Sequence, residues 1–98
     1  MTINKQLDGS KLNIALEGRL DTNTAPELEA DLRTALDGVT ELVFDLKDLA
    51  YVSSAGLRVL LSAQKVMNKQ GSMVIRNAND DLKEIFDVTG FNDILTIE

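Results

Sequence analysis

The sequence predicts an α/β fold with a mostly parallel β-sheet that opens on an N-terminal antiparallel hairpin, in the element order β-β-α-β-α-β-α-β. Three observations predict it: a turn signal at Asp8-Gly9, short apolar runs typical of buried strands, and apolar residues at helical spacing between those runs. Because strands and helices alternate after the hairpin, the crossovers should be right-handed and the later strands parallel. At 98 residues the chain is expected to be one domain, residues 1–98.

The first half of the chain predicts the hairpin, one helix and a buried strand. Residues 3–7 and 12–20 form the hairpin, because the second segment alternates apolar with polar or small residues. Residues 24–27 fit a capping box with proline in the first turn, and leucines then recur at helical spacing. Residues 42–46 are mostly apolar and predict a buried strand, after which residues 47–52 are expected to form a loop.

The second half predicts two helices and two strands. A helical pattern begins at the serine pair 53–54 and runs to about residue 69, where a following glycine takes the position of a C-cap. Residues 73–75 predict another buried strand, and Asn79 caps a short helix whose first turn is acidic. Residues 94–97 predict a last, peripheral strand.

The composition excludes most catalytic and metal chemistry. The chain has neither cysteine nor histidine, so it cannot form a disulfide, a thiolate or imidazole metal site, or a Ser-His-Asp triad. It contains neither a phosphate-binding P-loop nor a Gly-x-Gly-x-x-Gly run. We therefore expect no metal, no cofactor and no enzymatic activity.

Net charge and hydropathy restrict the partner and the location. A net charge of −6 and a pI near 4.5 argue against a nucleic-acid or anionic-membrane partner, because both need a basic surface. No apolar run approaches the roughly 20 residues that span a bilayer. The N-terminus is interrupted by polar residues at once, unlike a signal peptide. We expect a cytoplasmic protein without membrane insertion.

The charges are distributed unevenly along the chain. No acidic residue lies between Asp48 and Asp80, and the four basic residues there give +4, whereas the rest, with 6 basic and 16 acidic residues, carries −10. On a helical wheel the basic side chains share one exposed row with a serine: Ser54, Arg58, Lys65 and Lys69. The opposite face should pack on the sheet: Gly56, Val59, Leu60, Ala63, Val66 and Met67.

Two features of this helix allow more than one interpretation. Leu57 and Leu61 flank the exposed row, either because they pack sideways against a neighbouring helix or because a partner covers them. A serine at a helix start is most often an ordinary N-cap, and either Ser53 or Ser54 fits that role.

Three segments, which together cover nearly the whole chain, resemble STAS domains. Residues 45–61, Asp-Leu-Lys-Asp-Leu-Ala-Tyr-Val-Ser-Ser-Ala-Gly-Leu-Arg-Val-Leu-Leu, resemble the family's strand ending in Asp-Leu, loop, serine, small residue, Gly-Leu and helix. Residues 18–28 and 82–91 agree with the family as well. In STAS domains the phosphorylated serine lies two residues before the glycine, which is Ser54 here. Ser53, where the family often has aspartate, is the second choice.

The resemblance implies an anti-sigma factor antagonist, the free bacterial form of the domain. Such a protein, unphosphorylated, binds an anti-sigma factor that is also a serine kinase of the histidine-kinase-like ATPase fold, and so frees the sigma factor. Phosphorylation of Ser54 then releases the antagonist, and a PP2C-type phosphatase resets it. The candidate partner-binding residues are Asp21, Thr22, Asn23, Ser53, Ser54, Gly56, Leu57, Arg58, Leu61 and Lys65.

Two alternatives stay open. Asp21 matches an acidic residue that touches the partner in the family, but a turn aspartate equally bonds its own backbone. The chain could also be a STAS subunit that regulates a lipid-transport ABC ATPase by docking, without phosphorylation. Neighbouring genes would discriminate, because a serine kinase supports the switch and transporter subunits support the alternative.

Overall fold

The computed structural model describes residues 1–98 as a four-stranded sheet with three helices. In chain order the elements are β1 (Thr2–Asp8), β2 (Lys11–Leu20), α1 (Ala25–Ala35), β3 (Glu41–Val52), α2 (Ser54–Gln70), β4 (Ser72–Arg76) and α3 (Asp80–Val88), followed by a 3-10 turn at Phe91–Asp93. The predicted α/β class and the order of the first seven elements are confirmed. No helix has the length and apolar character that a bilayer span requires.

The strands lie in the order β1-β2-β3-β4, with β1 antiparallel to β2 and the other two pairings parallel. The hairpin turns at Gly9, whose φ of 63° lies in the left-handed region that favours glycine. Buried side chains of neighbouring strands lie side by side, Leu12 with Leu42 and Ile14 with Phe44. The residues between them point to the other face of the sheet, which is partly exposed.

The helices supply the rest of the core. α1 buries Ala25, Leu28 and Leu32, and α3 buries Leu82 and Phe86. α2 buries the longest series of residues: Gly56, Leu57, Val59, Leu60, Ala63, Gln64 and Met67. The apolar members of all three sets join the inward strand residues in one hydrophobic cluster, which fixes where α2 begins relative to the sheet.

β3 is longer than the sequence predicts. The loop expected at residues 47–52 is wrong, because β3 continues through it to Val52 and pairs with β2 throughout. Two register shifts, between Ala15 and Glu17 and between Gly18 and Arg19 of β2, interrupt the pairing. Such bulges break the period of two by which a strand is recognised in a sequence.

The predicted last strand at residues 94–97 is reduced to one parallel bridge between Ile75 and Ile97. The 3-10 turn curls the chain before it reaches the sheet, with the Ile94 N–H donating to the Phe91 carbonyl at 3.0 Å. Only the residues beyond the turn reach the edge of β4. The eighth element of the predicted order is therefore not a strand.

Two smaller expectations are corrected at the helices. Thr24 precedes α1, but its hydroxyl donates to the Arg19 carbonyl at 2.7 Å and accepts from the Asp21 N–H at 2.9 Å, so it does not cap the helix. Val66, expected on the buried face of α2, is 42% exposed. It lines a groove between α1 and α2 beside Leu32 instead of facing the sheet.

Candidate functional site

The predicted site residues lie at one edge of the sheet. β2 ends at Leu20 and the parallel β3 ends at Val52, so the segments that follow leave the sheet on the same side. The Ser53 N–H donates to the Leu20 carbonyl at 2.8 Å, which ties the start of α2 to the end of β2. Residues 21–23 and the serine pair therefore meet at the carboxyl ends of parallel strands, a usual place for binding sites in α/β proteins.

Ser53 is the N-cap of α2. Its backbone is extended, with φ −92° and ψ 174°, and its Oγ accepts from the Gly56 N–H at 3.3 Å. Its carbonyl accepts the Leu57 N–H at 2.9 Å. Ser53 is half-buried, and its side chain is engaged in the capping role that the sequence left open between the two serines.

Ser54 is the first residue of α2 and is exposed. Its hydroxyl forms no hydrogen bond within the chain, in contrast to that of Ser53. The first N–H groups of a helix lack partners within the helix, and the helix dipole adds partial positive charge there. The Ser54 side chain is therefore accessible at a position that favours a bound negative charge.

The basic row predicted on α2 lies on its exposed side. Arg58, one helical turn after Ser54, is exposed, as are Lys65 and Lys69. None of the three basic side chains forms a salt bridge with a carboxylate of the chain. Arg58 also lines a surface groove together with Thr22, so two predicted site residues from different segments border the same groove.

The other α2 candidates differ in exposure. A Cβ on Gly56 would lie 2.7 Å from Leu20 Cγ and 2.9 Å from Val52 Cγ2, so only glycine lets the helix start this close to the strand ends. Leu57 is 5% exposed and belongs to the core, whereas Leu61 is half-buried. Of the two interpretations that the sequence left open, packing within the chain therefore holds for Leu57. Of the two leucines, only Leu61 has side-chain surface that a partner could cover.

The loop after β2 is held by Asp21. Its Oδ1 accepts the Thr24 N–H at 3.1 Å and the Asn23 N–H at 3.0 Å. These bonds, the one from Thr24 first, hold the pKa of the Asp21 carboxyl below its ordinary value against an opposing effect of desolvation. The alternative interpretation of Asp21, as a turn residue that bonds its own backbone, is confirmed. The side chains of Thr22 and Asn23 are exposed, and their role in binding stays a prediction.

Sequence reasoning missed two residues at this edge. Arg19 of β2 and Tyr51 of β3 are register partners, and the guanidinium carbon lies 4.4 Å from the centre of the tyrosine ring. Tyr51 falls in the segment that the sequence predicts as a loop, so the alternation of apolar and polar residues did not indicate that it pairs with Arg19. Only a prediction of β3 through the bulge would have found the pair.

Comparison with known proteins identifies the family. A family model described as "Mlab, STAS domain" matches residues 3–96. The putative anti-sigma factor antagonist BtrV of Bordetella bronchiseptica is 37% identical over 99 residues, which cover 99% of this chain and 84% of that protein. The chain belongs to the STAS-domain family of anti-sigma factor antagonists. The anti-sigma-B factor antagonist of Bacillus subtilis is 33% identical to this STAS domain over 87 residues, or 88% of this chain and 80% of that protein.

Solved structures agree with the fold of this STAS domain. One match is the anti-sigma factor antagonist SpoIIAA in its unphosphorylated form. The match covers 99% of this chain and 87% of the SpoIIAA chain, with a TM-score of 0.78 at 17% identity. The match to the Bacillus cell fate determinant SpoIIAA in its phosphorylated form covers 99% of this chain and 91% of the SpoIIAA chain. Its TM-score is 0.77 at 18% identity. The fold of this STAS domain thus resembles both forms to the same degree.

Proposed function

We propose that this STAS domain is a phosphorylation-controlled anti-sigma factor antagonist with Ser54 as its phosphoacceptor. In the unphosphorylated form it binds an anti-sigma factor that is also a serine kinase of the histidine-kinase-like ATPase fold, and the sigma factor is released. The kinase phosphorylates Ser54 and thereby releases the antagonist, and a PP2C-type phosphatase returns the antagonist to its unphosphorylated form. The protein acts in the cytoplasm, where sigma factors engage RNA polymerase, as substrate and ligand instead of catalyst.

One observation carries the choice of Ser54: the two adjacent serines differ in exposure and in hydrogen bonding. Ser54 is exposed with an uncommitted hydroxyl, whereas Ser53 is half-buried and caps the helix. A kinase must bring the acceptor oxygen in line with the γ-phosphate of ATP, which requires an accessible side chain. The geometry therefore favours Ser54 over Ser53, the second choice from the sequence.

The position of Ser54 also accommodates the product. A phosphoryl group there meets the unpaired N–H groups and the positive end of the α2 dipole. Arg58 lies one turn further along, is exposed and has no carboxylate partner, so it is available to pair with the phosphate. We expect phosphorylation to leave the fold intact.

The phosphate then acts on the interface. It adds about −1.5 to −2 charge units, which the complex would have to desolvate or place near partner carboxylates at a cost of several kcal/mol. Taking a partner from nearly full to nearly no occupancy needs about 5.5 kcal/mol, so one phosphate is sufficient. No large conformational change of the antagonist is needed.

The alternative of a STAS subunit that regulates a lipid-transport ATPase without phosphorylation is not favoured. The named relatives with identities above 30% are anti-sigma factor antagonists, which are regulatory proteins. The serine at the phosphoacceptor position is present and exposed. The proposal therefore keeps the kinase as the partner.

The phosphoacceptor is tested by incubating the protein with ATP and its cognate kinase and mapping the site by mass spectrometry. We expect one phosphate on the wild type, at Ser54, and none on Ser54→Ala. Ser53→Ala is the matched control, because it changes the neighbouring hydroxyl and should still be phosphorylated. Phosphate at Ser53 alone, or at neither serine, would overturn the proposal.

A further inference from the structure

The exposed Arg19–Tyr51 pair lies at the same sheet edge as Ser54 and has no place in the phosphorylation chemistry. We propose that it is a docking site for an acidic side chain of the anti-sigma factor kinase, and that it contributes to affinity independently of the phosphoacceptor. This inference rests on the proposed function, because it takes the kinase as the partner that covers Ser54.

The bulge in the sheet creates the pair. Gly18 is paired with Leu49 and Arg19 with Tyr51, so Ala50 is the extra residue. The next partners, Leu20 and Val52, are buried, and alternation along the strands turns Arg19 and Tyr51 outward. Without the shift, Arg19 would face Ala50 and would have no aromatic ring beneath it.

The arginine is held in place before any partner arrives. Its guanidinium lies over the Tyr51 ring at 4.4 Å, within the range of a cation–π interaction. Its carbonyl accepts the Thr24 hydroxyl at 2.7 Å, which fixes the backbone, and its Nε lies 3.8 Å from Asp21 Oδ2. An arginine ordered in this way loses little side-chain entropy when it binds, which favours affinity.

The hydrogen-bonding capacity of this arginine is unused. A guanidinium carries five N–H donors, yet Arg19 donates no side-chain hydrogen bond within the chain and its side chain is 62% exposed. Arg76, by contrast, donates to Glu98 at 3.1 Å. A planar donor fork of this kind fits a carboxylate with two parallel hydrogen bonds, so the chemistry points to an acidic side chain on the partner.

The pair lies within the reach of a partner that covers Ser54. Ser54 follows Tyr51 by three positions in the chain, and three residue steps span at most about 10 Å. A typical interface buries about 800 Å² on each partner, which is wide enough to include both positions. Tyrosine and arginine are also the residue types that most often dominate binding energy in interfaces.

If Arg19 and Tyr51 had a purely structural role, their substitution would have a different effect on partner binding. An exposed cation–π pair adds little to stability. If Arg19 and Tyr51 served only to pair β2 with β3, replacing either side chain would leave the affinity for the partner unchanged. If the pair docks the kinase, its removal weakens association and raises KM for phosphorylation of Ser54 while kcat stays the same, because the reacting groups are not altered.

The test measures affinity for the cognate kinase by calorimetry, together with phosphorylation kinetics, for Arg19→Ala, Arg19→Lys, Tyr51→Ala and Tyr51→Phe. Arg19→Ala and Tyr51→Ala should raise Kd and KM at least tenfold with kcat within twofold. Arg19→Lys should be nearly as weak, because it lacks the planar fork, and Tyr51→Phe should stay close to wild type, because it keeps the ring. The matched control is Arg76→Ala, which removes an exposed arginine of β4. Its register partner on β3, Asp45, lies seven residues before Val52, so Arg76 is about 20 Å from the pair and its loss should leave binding like that of wild type.

Melting curves first establish that each variant is folded. If Tyr51→Ala is unfolded, the two Arg19 variants decide the question, because they leave the ring in place. Affinities of both Arg19 variants within twofold of wild type would overturn the docking site while the proposed function stands. A wild-type protein that neither binds the kinase nor is phosphorylated would overturn the proposed function, and the docking site with it.

Discussion

Ser53 and Ser54 are adjacent in the chain but differ in what their hydroxyl groups contact. Ser53 Oγ accepts the Gly56 N–H and completes the first turn of α2, whereas the Ser54 hydroxyl is free at the surface. Gly56 adds to this division, because its missing Cβ brings the helix start against Leu20 and Val52. One serine therefore builds the helix terminus, and the other is available for chemistry.

Replacing each serine by alanine should separate these roles. Ser53→Ala removes the cap acceptor and should lower the free energy of unfolding by about 0.5–1 kcal/mol, at the low end for an N-cap because the bond is 3.3 Å long. Ser54→Ala, the matched control, should change it by less than about 0.5 kcal/mol. Urea denaturation followed by circular dichroism measures both. A larger loss for Ser54→Ala would contradict the assignment of the cap.

At the scale of elements, one carboxylate joins β3 to the connection between β4 and α3. Asp45 Oδ1 accepts the Asn77 side-chain amide at 3.0 Å and the Lys47 N–H at 3.0 Å, next to the first register shift. Asn77 has a left-handed φ of 61°, which asparagine tolerates better than most residues. The bond from Asn77, and then the one from Lys47, lowers the pKa of Asp45, so the charged form is favoured in the folded state.

This contact makes stability depend on pH. Because the pKa of Asp45 is lower in the folded than in the unfolded chain, its contribution is present above the ordinary value of 3.8 and is lost as the pH falls through the folded-state pKa. We expect the free energy of unfolding to decrease on acidification below about pH 4, and Asp45→Asn to reduce that decrease. Asp21, whose pKa is also lowered, should keep part of it.

Urea titrations at neutral pH and at several pH values below about 4 measure this effect. The control is Asp48→Asn, which removes one negative charge from the same strand at an exposed position. This variant should lose more stability on acidification than Asp45→Asn does, because it keeps the Asp45 bonds to Asn77 and Lys47. An Asp45→Asn protein with the pH dependence of wild type would contradict the role given to the Asn77 and Lys47 bonds.

For the whole molecule, the sequence predicts the fold because most elements follow a simple period. The alternation of Leu12, Ile14 and Leu16 and the helical spacing of Leu28 and Leu32 survive in the structure as the buried faces of β2 and α1. The end of β3 does not follow from the pattern, because a bulge inserts a residue that only pairing with β2 reveals. The prediction of a last strand at residues 94–97 is wrong for a similar reason, because the 3-10 turn that begins at Phe91 forms in place of strand pairing with β4.

The site is predicted unevenly for the same physical reason. The exposed row of Ser54 and Arg58 depends only on helical geometry and is present as expected. The burial of Leu57 and the pairing of Arg19 with Tyr51 depend on contacts between elements distant in the chain. Local patterns therefore place Ser54 and Arg58 on the exposed side of α2, and tertiary contacts are needed to outline the surface around them.

The central claim is that a phosphate on Ser54 abolishes partner binding without changing the fold. The most direct measurement compares the affinity of the cognate kinase for the unphosphorylated protein, the Ser54-phosphorylated protein and Ser54→Asp, with a circular-dichroism spectrum of each. We expect three superimposable spectra and an affinity loss on phosphorylation that approaches the roughly 10⁴-fold needed for a complete switch, with a smaller loss for Ser54→Asp. A phosphorylated protein that binds within tenfold of the unphosphorylated one, or that binds weakly because its spectrum has changed, would contradict the claim.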